Sequence, residues 1–412
     1  MKKKFSLFAL LPLILALMID NMSFGAIFPL VTSIFQEYPQ IFFGKATSIE
    51  TIDWYMSMAY FIMPLGMFFG ASFLGDLSDV LGRRVTMIAA MAGIGLGYLF
   101  MVLSIYTASI WLFLFGRLVT GLFAGSQGIG QAAIVDMSTP KTKAMAMSFL
   151  TFAICIGFTL GPIIVSIFTS ITQMMRLRFE LPLFVIGVGS LCSCFWLYQS
   201  FAESGKINKK HKVSILRPLH LLWEVGFHEN LRIITPAMFF FQMGIALFFQ
   251  TIMIKMQVEF HYDVMDLGLL MAFYGVVLMF TLTVLAKIFI SRWKIEWFTM
   301  YNLIINGVVV ILSAWVTSEF FMWVLIAFVS ASNAFAYTGA LTTFSNGVSS
   351  KRQGWAMGIC VATAALGFVV GGLWMSLLQV LGTDWLITIS GLSTLLGAFI
   401  LYTYINRSEK LA

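Results

Sequence analysis

Charge is scarce in this chain of 412 residues: Asp, Glu, Lys and Arg make up 10% of it, against 60% hydrophobic residues and a mean hydropathy of +0.93. That scarcity excludes a soluble domain, which could not hide so much apolar surface from water. Histidine is rarer still. His211, His220, His228 and His261 all fall in expected loops, and neither an HExxH nor a G-x-S-x-G pattern occurs. The usual machinery of a membrane-embedded enzyme is therefore missing, and no enzymatic activity is expected. No Walker A sequence is present, which argues against ATP as the direct energy source. The four cysteines, Cys155, Cys192, Cys194 and Cys360, lie inside apolar runs. They read as small packing residues rather than a disulfide framework or a metal site.

Long apolar runs are what the chain has in quantity. A membrane span needs ~20 mostly apolar residues, and twelve runs qualify, near 5–31, 54–74, 86–106, 110–135, 145–169, 180–201, 233–254, 267–290, 297–317, 320–345, 355–379 and 384–405. Each is expected to be helical, because an isolated segment in lipid must satisfy its own backbone. Lys2, Lys3 and Lys4 precede a run too long for a signal peptide, with no clear small-residue cleavage site after it, so it reads as an uncleaved first span. Of the 25 lysines and arginines, twenty fall on the side of the N-terminus, four (Lys45, Arg176, Arg178 and Lys255) on the other, and Arg117 is left within a span. This asymmetry puts both termini in the cytoplasm and makes nucleic acid an unneeded explanation of the +7 net charge. Trp54, Trp111, Trp196, Trp297, Trp323 and Trp385 lie near span ends, as an aromatic belt requires.

The expected fold is an all-α integral membrane protein of about twelve spans in two six-helix halves, 1–201 and 231–412. Between them, 202–230 reads as a basic linker (Lys206, Lys209, Lys210, Lys212) followed from about Pro218 by an amphipathic helix on the membrane surface. A shift of 210 residues pairs Lys141 with Lys351, Ala146 with Ala356, Met147 with Met357, Gly157 with Gly367, Phe158 with Phe368, Gly161 with Gly371 and Arg84 with Lys294. Parallel repeats of this kind suggest alternating access, with cargo held between the halves near the midplane.

Several stretches carry chemistry of their own. In "GDLSDVLGRR", Gly75 and Gly82 permit a tight turn and close helix approach, while Asp79 can pair with Arg83 or cap a neighbouring helix. Arg117, Gly121 and Gly125 recur every four residues, placing small residues on one helix face beneath a buried guanidinium. Gly157, Gly161 and Pro162 would allow close packing and a kink. Asp20 stands two positions past the midpoint of the first run, where a bare carboxylate costs several kcal/mol. A carboxyl whose protonation depends on water access and cargo suits a proton-coupled carrier, so Asp20 either carries the coupling proton or binds cationic cargo. The C-terminal half offers no deep charge, since Lys255 and Lys287 lie near span ends. Its polar candidates, Gln242, Gln250, Asn302, Asn306, Asn333 and Tyr337, read first as interhelical hydrogen bonders.

The motif formed by Gly75, Leu77, Asp79, Gly82, Arg83 and Arg84 resembles the G-x-L-x-D-x-x-G-R-R loop of the Major Facilitator Superfamily, with Val80 where many relatives have a basic residue. "MIDNMSFGAIFPL", "GRLVTGLFAGSQGIGQAAIVD" and "GFTLGPIIVS" are similar to the first, fourth and fifth spans of its twelve-spanner drug:proton antiporters, the tetracycline exporters above all; Val165 and Ser166 replace the two final glycines of the last motif. The resemblance implies a cytoplasmic latch built around Gly75, Asp79, Gly82 and Arg83; Asp136 at the inner end of the fourth span and Gly157, Gly161 and Pro162 of the fifth are the further gating candidates. Asp20 and Arg117 are the candidates for proton coupling, and Asn21, Gln242, Gln250, Asn333 and Tyr337 those for the cargo site. The implied function is proton-coupled export of drug-like or amphiphilic small molecules; the alternative is proton-coupled import or export of a specific metabolite, such as a nutrient or siderophore. Expected partners are small-molecule cargo, protons and the lipid bilayer of a plasma membrane, with no cofactor, metal or nucleic acid and the chain working as a monomer.

Overall fold

The computed structural model describes residues 7–138, 143–171, 177–205, 207, 213–289, 292–348 and 352–411. Lys2, Lys3, Lys4, Lys141, Arg176, Lys206, Lys209, Lys210, Lys212 and Lys351 lie outside these residues, as do the side chains of Lys143, Lys287 and Lys410. Among the described residues the chain is helix and short connection, with no strand. The helices are α1 Leu7–Gln36, α2 Ile49–Leu81, α3 Arg83–Tyr106, α4 Ile110–Phe123, α5 Ser126–Met137, α6 Lys143–Ile171, α7 Leu177–Ser200, α8 Arg217–Val225, α9 Leu231–Phe260, α10 Val264–Phe280, α11 Ala286–Phe289, α12 Ile295–Trp315, α13 Glu319–Asn346, α14 Gln353–Trp374 and α15 Leu378–Leu411. A π-helical turn, Thr281–Leu285, joins α10 to α11. Among the described residues, eleven helical stretches are long and apolar enough to cross a membrane; the last of them, Trp355–Arg407, has 53 residues, or roughly 80 Å of helix, far more than one bilayer crossing needs. It is interrupted at Gly382, whose φ of 75° no helix interior holds, and α14 and α15 both pack against α9.

Local chemistry sets the helix starts. Ser48 accepts from the Thr51 N–H (3.4 Å) at the head of α2, and Ser109 from the Leu112 N–H (3.3 Å) at the head of α4. Asp263 and Asp266 form a reciprocal capping box on α10, at 2.9 and 3.2 Å. Between α2 and α3 a single residue turns the chain: Gly82, with φ 98°.

Three sequence expectations change here. The motif around Asp79 is not a loop, because α2 runs through Leu81 and Gly75 sits within it; a side chain at Gly75 would meet no atom within 4 Å, so no close approach needs that glycine. The fourth span is broken between α4 and α5, so Gly125 lies at the break and not on a continuous Arg117–Gly121–Gly125 face. Around Pro162, α6 continues unbroken.

The glycine pairs related by 210 residues occupy equivalent places. Gly157 and Gly161 of α6 lie against Met18, Asn21, Met22 and Ala26 of α1, while Gly367 and Gly371 of α14 lie against Gln242, Met243 and Ala246 of α9. In both halves a glycine face lets the fifth crossing press on the first. Across the halves, α2 packs on α14 and α6 on α10.

Candidate functional site

A cavity of about 580 Å³ lies between the halves. Asn21 and Phe24 of α1, Gln127 and Gln131 of α5, and Thr151, Cys155 and Phe158 of α6 line one wall. Gln242 and Phe249 of α9, Tyr274 of α10, Asn333 and Tyr337 of α13, and Phe368 of α14 line the other. Its polar groups are amides and hydroxyls set among aromatic rings; Phe249 packs edge-on to Tyr274 at 4.8 Å between centroids. Lining residues come from the early part of α6, from α5 (the second half of the broken fourth span) and from the late parts of α10 and α13, which places the cavity toward the end of the bundle where α1 starts and α15 ends.

The opposite side is shut by bonds between the halves. Ser57 of α2 donates to the Gly372 carbonyl of α14 at 2.9 Å. Gln379 of α15 donates to Asp53 of α2, which also accepts from Gln36 at 3.0 Å. Gln257 of α9 donates to Glu37, the residue after α1.

Of the expected cargo residues, Asn21, Gln242, Asn333 and Tyr337 meet in this cavity. Asn333 also donates to the Tyr274 hydroxyl at 2.6 Å, and Asn21 to its own Leu17 carbonyl at 2.8 Å. Gln250 does not join them: it is 1% exposed and absent from the wall, because two helical turns beyond Gln242 is also deeper into the closed side. Asn306 ties α12 to α13 through Val329 and Ser332 (3.2 and 3.0 Å), and Asn302 bonds its own helix.

Asp20 sits beside Asn21, partly accessible, and accepts a hydrogen bond from Ser126. Ser126 is the first residue of α5, so the break in the fourth span turns a helix N-terminus toward the carboxyl. Arg117, 4% exposed, donates from Nε to the Ala59 carbonyl of α2 at 3.0 Å. No ion pair joins it to Asp20 among the described residues; Tyr98 of α3 donates to the Ser23 carbonyl at 2.6 Å. Gly121, one turn on, lies against the α2 backbone at Met63 and Gly66. The close neighbour expected beside Arg117 is therefore α2.

At the termini side Arg83 gathers Asp79 (2.8 Å), Asp136 at the end of α5 (3.4 Å) and Ser78. Asp79 takes the pairing role and not the capping one. Glu203, which sequence reasoning passed over, caps α3 through the Arg83 and Arg84 N–H groups at 2.8 and 3.1 Å.

Two further charges are buried against expectation. Lys255, placed near a span end, is 2% exposed and bonds Asp384 (2.7 Å), Glu259 (2.8 Å) and the Ala314 carbonyl (2.8 Å). Asp76, 1% exposed, pairs with Arg217 of α8. The available signal was the rarity of charge itself: a carboxylate next to an apolar run has to be answered by some partner. No cluster of three metal-ligating side chains occurs among the described residues.

The profile of the Major Facilitator Superfamily matches residues 10–354. The tetracycline resistance protein, class D, of Salmonella ordonez is 23% identical over 397 residues, covering 91% of this chain and 93% of its own. Mouse major facilitator superfamily domain-containing protein 10 is 25% identical over 175 residues; the match spans 37% of each chain, little more than a third of that relative's length. Among solved structures, the human organic anion transporter MFSD10 (TETRAN) superposes with a TM-score of 0.73 at 19% identity, over 95% of this chain and 98% of its own. A D-xylose-proton symporter does so with 0.74 at 13% identity, over 96% and 98%.

Proposed function

This chain belongs to the Major Facilitator Superfamily, and from that premise we propose that it is a proton-coupled exporter of drug-like or amphiphilic small molecules. It is a multi-pass membrane transporter. The observation that carries the finer reading is the cavity: aromatic rings and scattered amides, with a carboxyl, Asp20, set just behind Asn21. Rings offer apolar area to flat amphiphiles, and amides orient them without demanding one charge.

In this reading the two halves, 1–201 and 231–412, rock about the cavity, and the termini lie in the cytoplasm. The state described is then inward-facing. Cargo enters among Gln127, Gln131 and Thr338 and settles between Asn21 and Asn333. Asp20 carries the coupling proton. The α5 N-terminus and Ser126 favour its charged form, cargo and closure favour its neutral form, and Arg117 is the second candidate for the coupling. Around Arg83, the Asp79 and Asp136 carboxylates hold α2 and α5 together while the inner side is open. The same Asp79 released from Arg83 is the latch for the opposite state.

A cargo screen in sealed vesicles, with a pH gradient of either sign, tests this. Uptake into acid-loaded inverted vesicles of several unrelated amphiphiles supports the reading. Movement of one polar metabolite only, in either direction, would replace it with a dedicated metabolite carrier.

A further inference from the structure

Resting on that proton-coupled reading, we propose that Glu37 is a proton-binding site of the outer gate: the halves close over it when its carboxyl carries a proton, paired with the Gln257 amide of the other half. Gln257 donates from Nε2 to Glu37 Oε1, while its own Oε1 is buried with no hydrogen-bond partner. An orphaned buried acceptor costs about 1–3 kcal/mol. An ionised carboxylate only accepts and leaves that oxygen stranded; a protonated one donates to it and completes a cyclic acid–amide pair. Exchanging the amide oxygen and nitrogen does not alter the conclusion. The two oxygens would then face each other, and only a proton on Glu37 could join them.

The surroundings agree. Burial, the largest influence, pushes the Glu37 pKa above the usual carboxylate range. The Gln257 hydrogen bond opposes that shift, the charge of Asp263 at the head of α10 adds to it, and Arg178 on α7 opposes it. Arg178 also donates to the Tyr38 hydroxyl at 2.7 Å. On α9, Lys255 and Glu259 are bonded to each other, and on α2 Asp53 is held by Gln36 and Gln379.

When the gate opens, water reaches Glu37 and its pKa returns toward the ordinary value, so closure takes up a proton. The closed-to-open ratio then rises by up to about tenfold per unit fall in pH. The proton's contribution to closure is complete below the open-gate pKa and is lost as pH rises through the raised, closed-gate pKa. An acidic exterior thereby shuts the outer gate and turns the cavity inward, which is the return step an exporter needs.

The test uses the full chain in lipid vesicles, with native cysteines replaced and spin labels at Lys45→Cys and Val258→Cys across the outer seam. The distance distribution is followed from pH 8.5 to 5. The closed fraction is expected to rise with acid at a one-proton slope, and Glu37→Gln to hold the gate closed at every pH. Asp20→Asn is expected to keep the wild-type titration. A wild-type distribution indifferent to pH overturns the proposal. So does a Glu37→Gln protein that still titrates, or loss of the titration in Asp20→Asn. Cargo-driven proton movement, measured in parallel, separates the two readings. A gate that titrates through Glu37 in a protein that moves no protons leaves this proposal standing and removes the coupling. Proton movement with a silent gate does the reverse.

Discussion

Adding one methyl at Gly372 is expected to open the outer seam. A Cβ built there lies 2.9 Å from both Cα and N of Phe61 and 3.1 Å from the Tyr60 carbonyl carbon. Those atoms are backbone, so no side chain can rotate away, and α2 must separate from α14 where Ser57 now bonds Gly372. Overpacking of this kind typically costs about 1–3 kcal/mol. In a two-state carrier the cost falls on the state in which the seam is closed. Gly372→Ala is therefore expected to shift the balance toward the outward-facing form by about 5- to 150-fold. Labelling of a cysteine at Ser57 by an impermeant thiol reagent, in right-side-out vesicles, reads the shift as a faster reaction from outside. Here Ser57→Cys alone is the reference and native cysteines are replaced. Unchanged labelling at unchanged thermal stability would mean that the seam does not part during transport, and the gate assigned to α2 and α14 would fall.

Asp20→Asn is expected to abolish uphill transport while leaving cargo binding and folding in place; full gradient-driven transport by the mutant removes Asp20 from the coupling. Lys255→Met leaves Asp384 and Glu259 facing each other. The expected loss is about 3 kcal/mol, the low end for breaking a buried pair because both carboxylates keep some contact with water, and Asp384→Asn in the same background should recover part of it in a thermal melt. Gly82→Leu forces a side chain onto a backbone at φ 98°, ψ 157°, a region held almost only by glycine, at roughly 1–3 kcal/mol, and against Glu203. It is expected to slow turnover more than it weakens cargo binding; the opposite pattern would sever the Arg83 cluster from gating.

Much of this architecture is written along the chain because lipid leaves few options. Apolar runs of span length had to be helices, and Gly157 and Gly161 had to face a close neighbour. What the sequence could not reveal is rotation about each helix axis and the identity of distant partners. Gln242 and Gln250 share a helix and a chemistry, yet only one reaches the cavity. Glu37 and Gln257 are 220 residues apart, and Asp53 and Gln379 are 326 apart; no local period encodes such meetings. The break before Ser126 was legible in the Gly125–Ser126 step, but continuous hydropathy across it outweighed that signal.

The nine-residue α8 acts as a strap across the floor of the molecule. Arg217 at its head is buckled to Asp76 of α2, and Glu224 near its tail to the Trp355 indole of α14 at 2.5 Å. Seven residues of helix separate the two buckles by a fixed span on the order of 10 Å. The ends of α2 and α14 that α8 bridges, held at constant spacing, cannot swing apart, so any widening of the floor falls on the opposite flank, where α6 packs on α10. Thr151 and Thr283 stand there on the cavity wall. In the rocking proposed above, the molecule opens like a purse hinged along one edge, and cargo meets a mouth with only one moving lip.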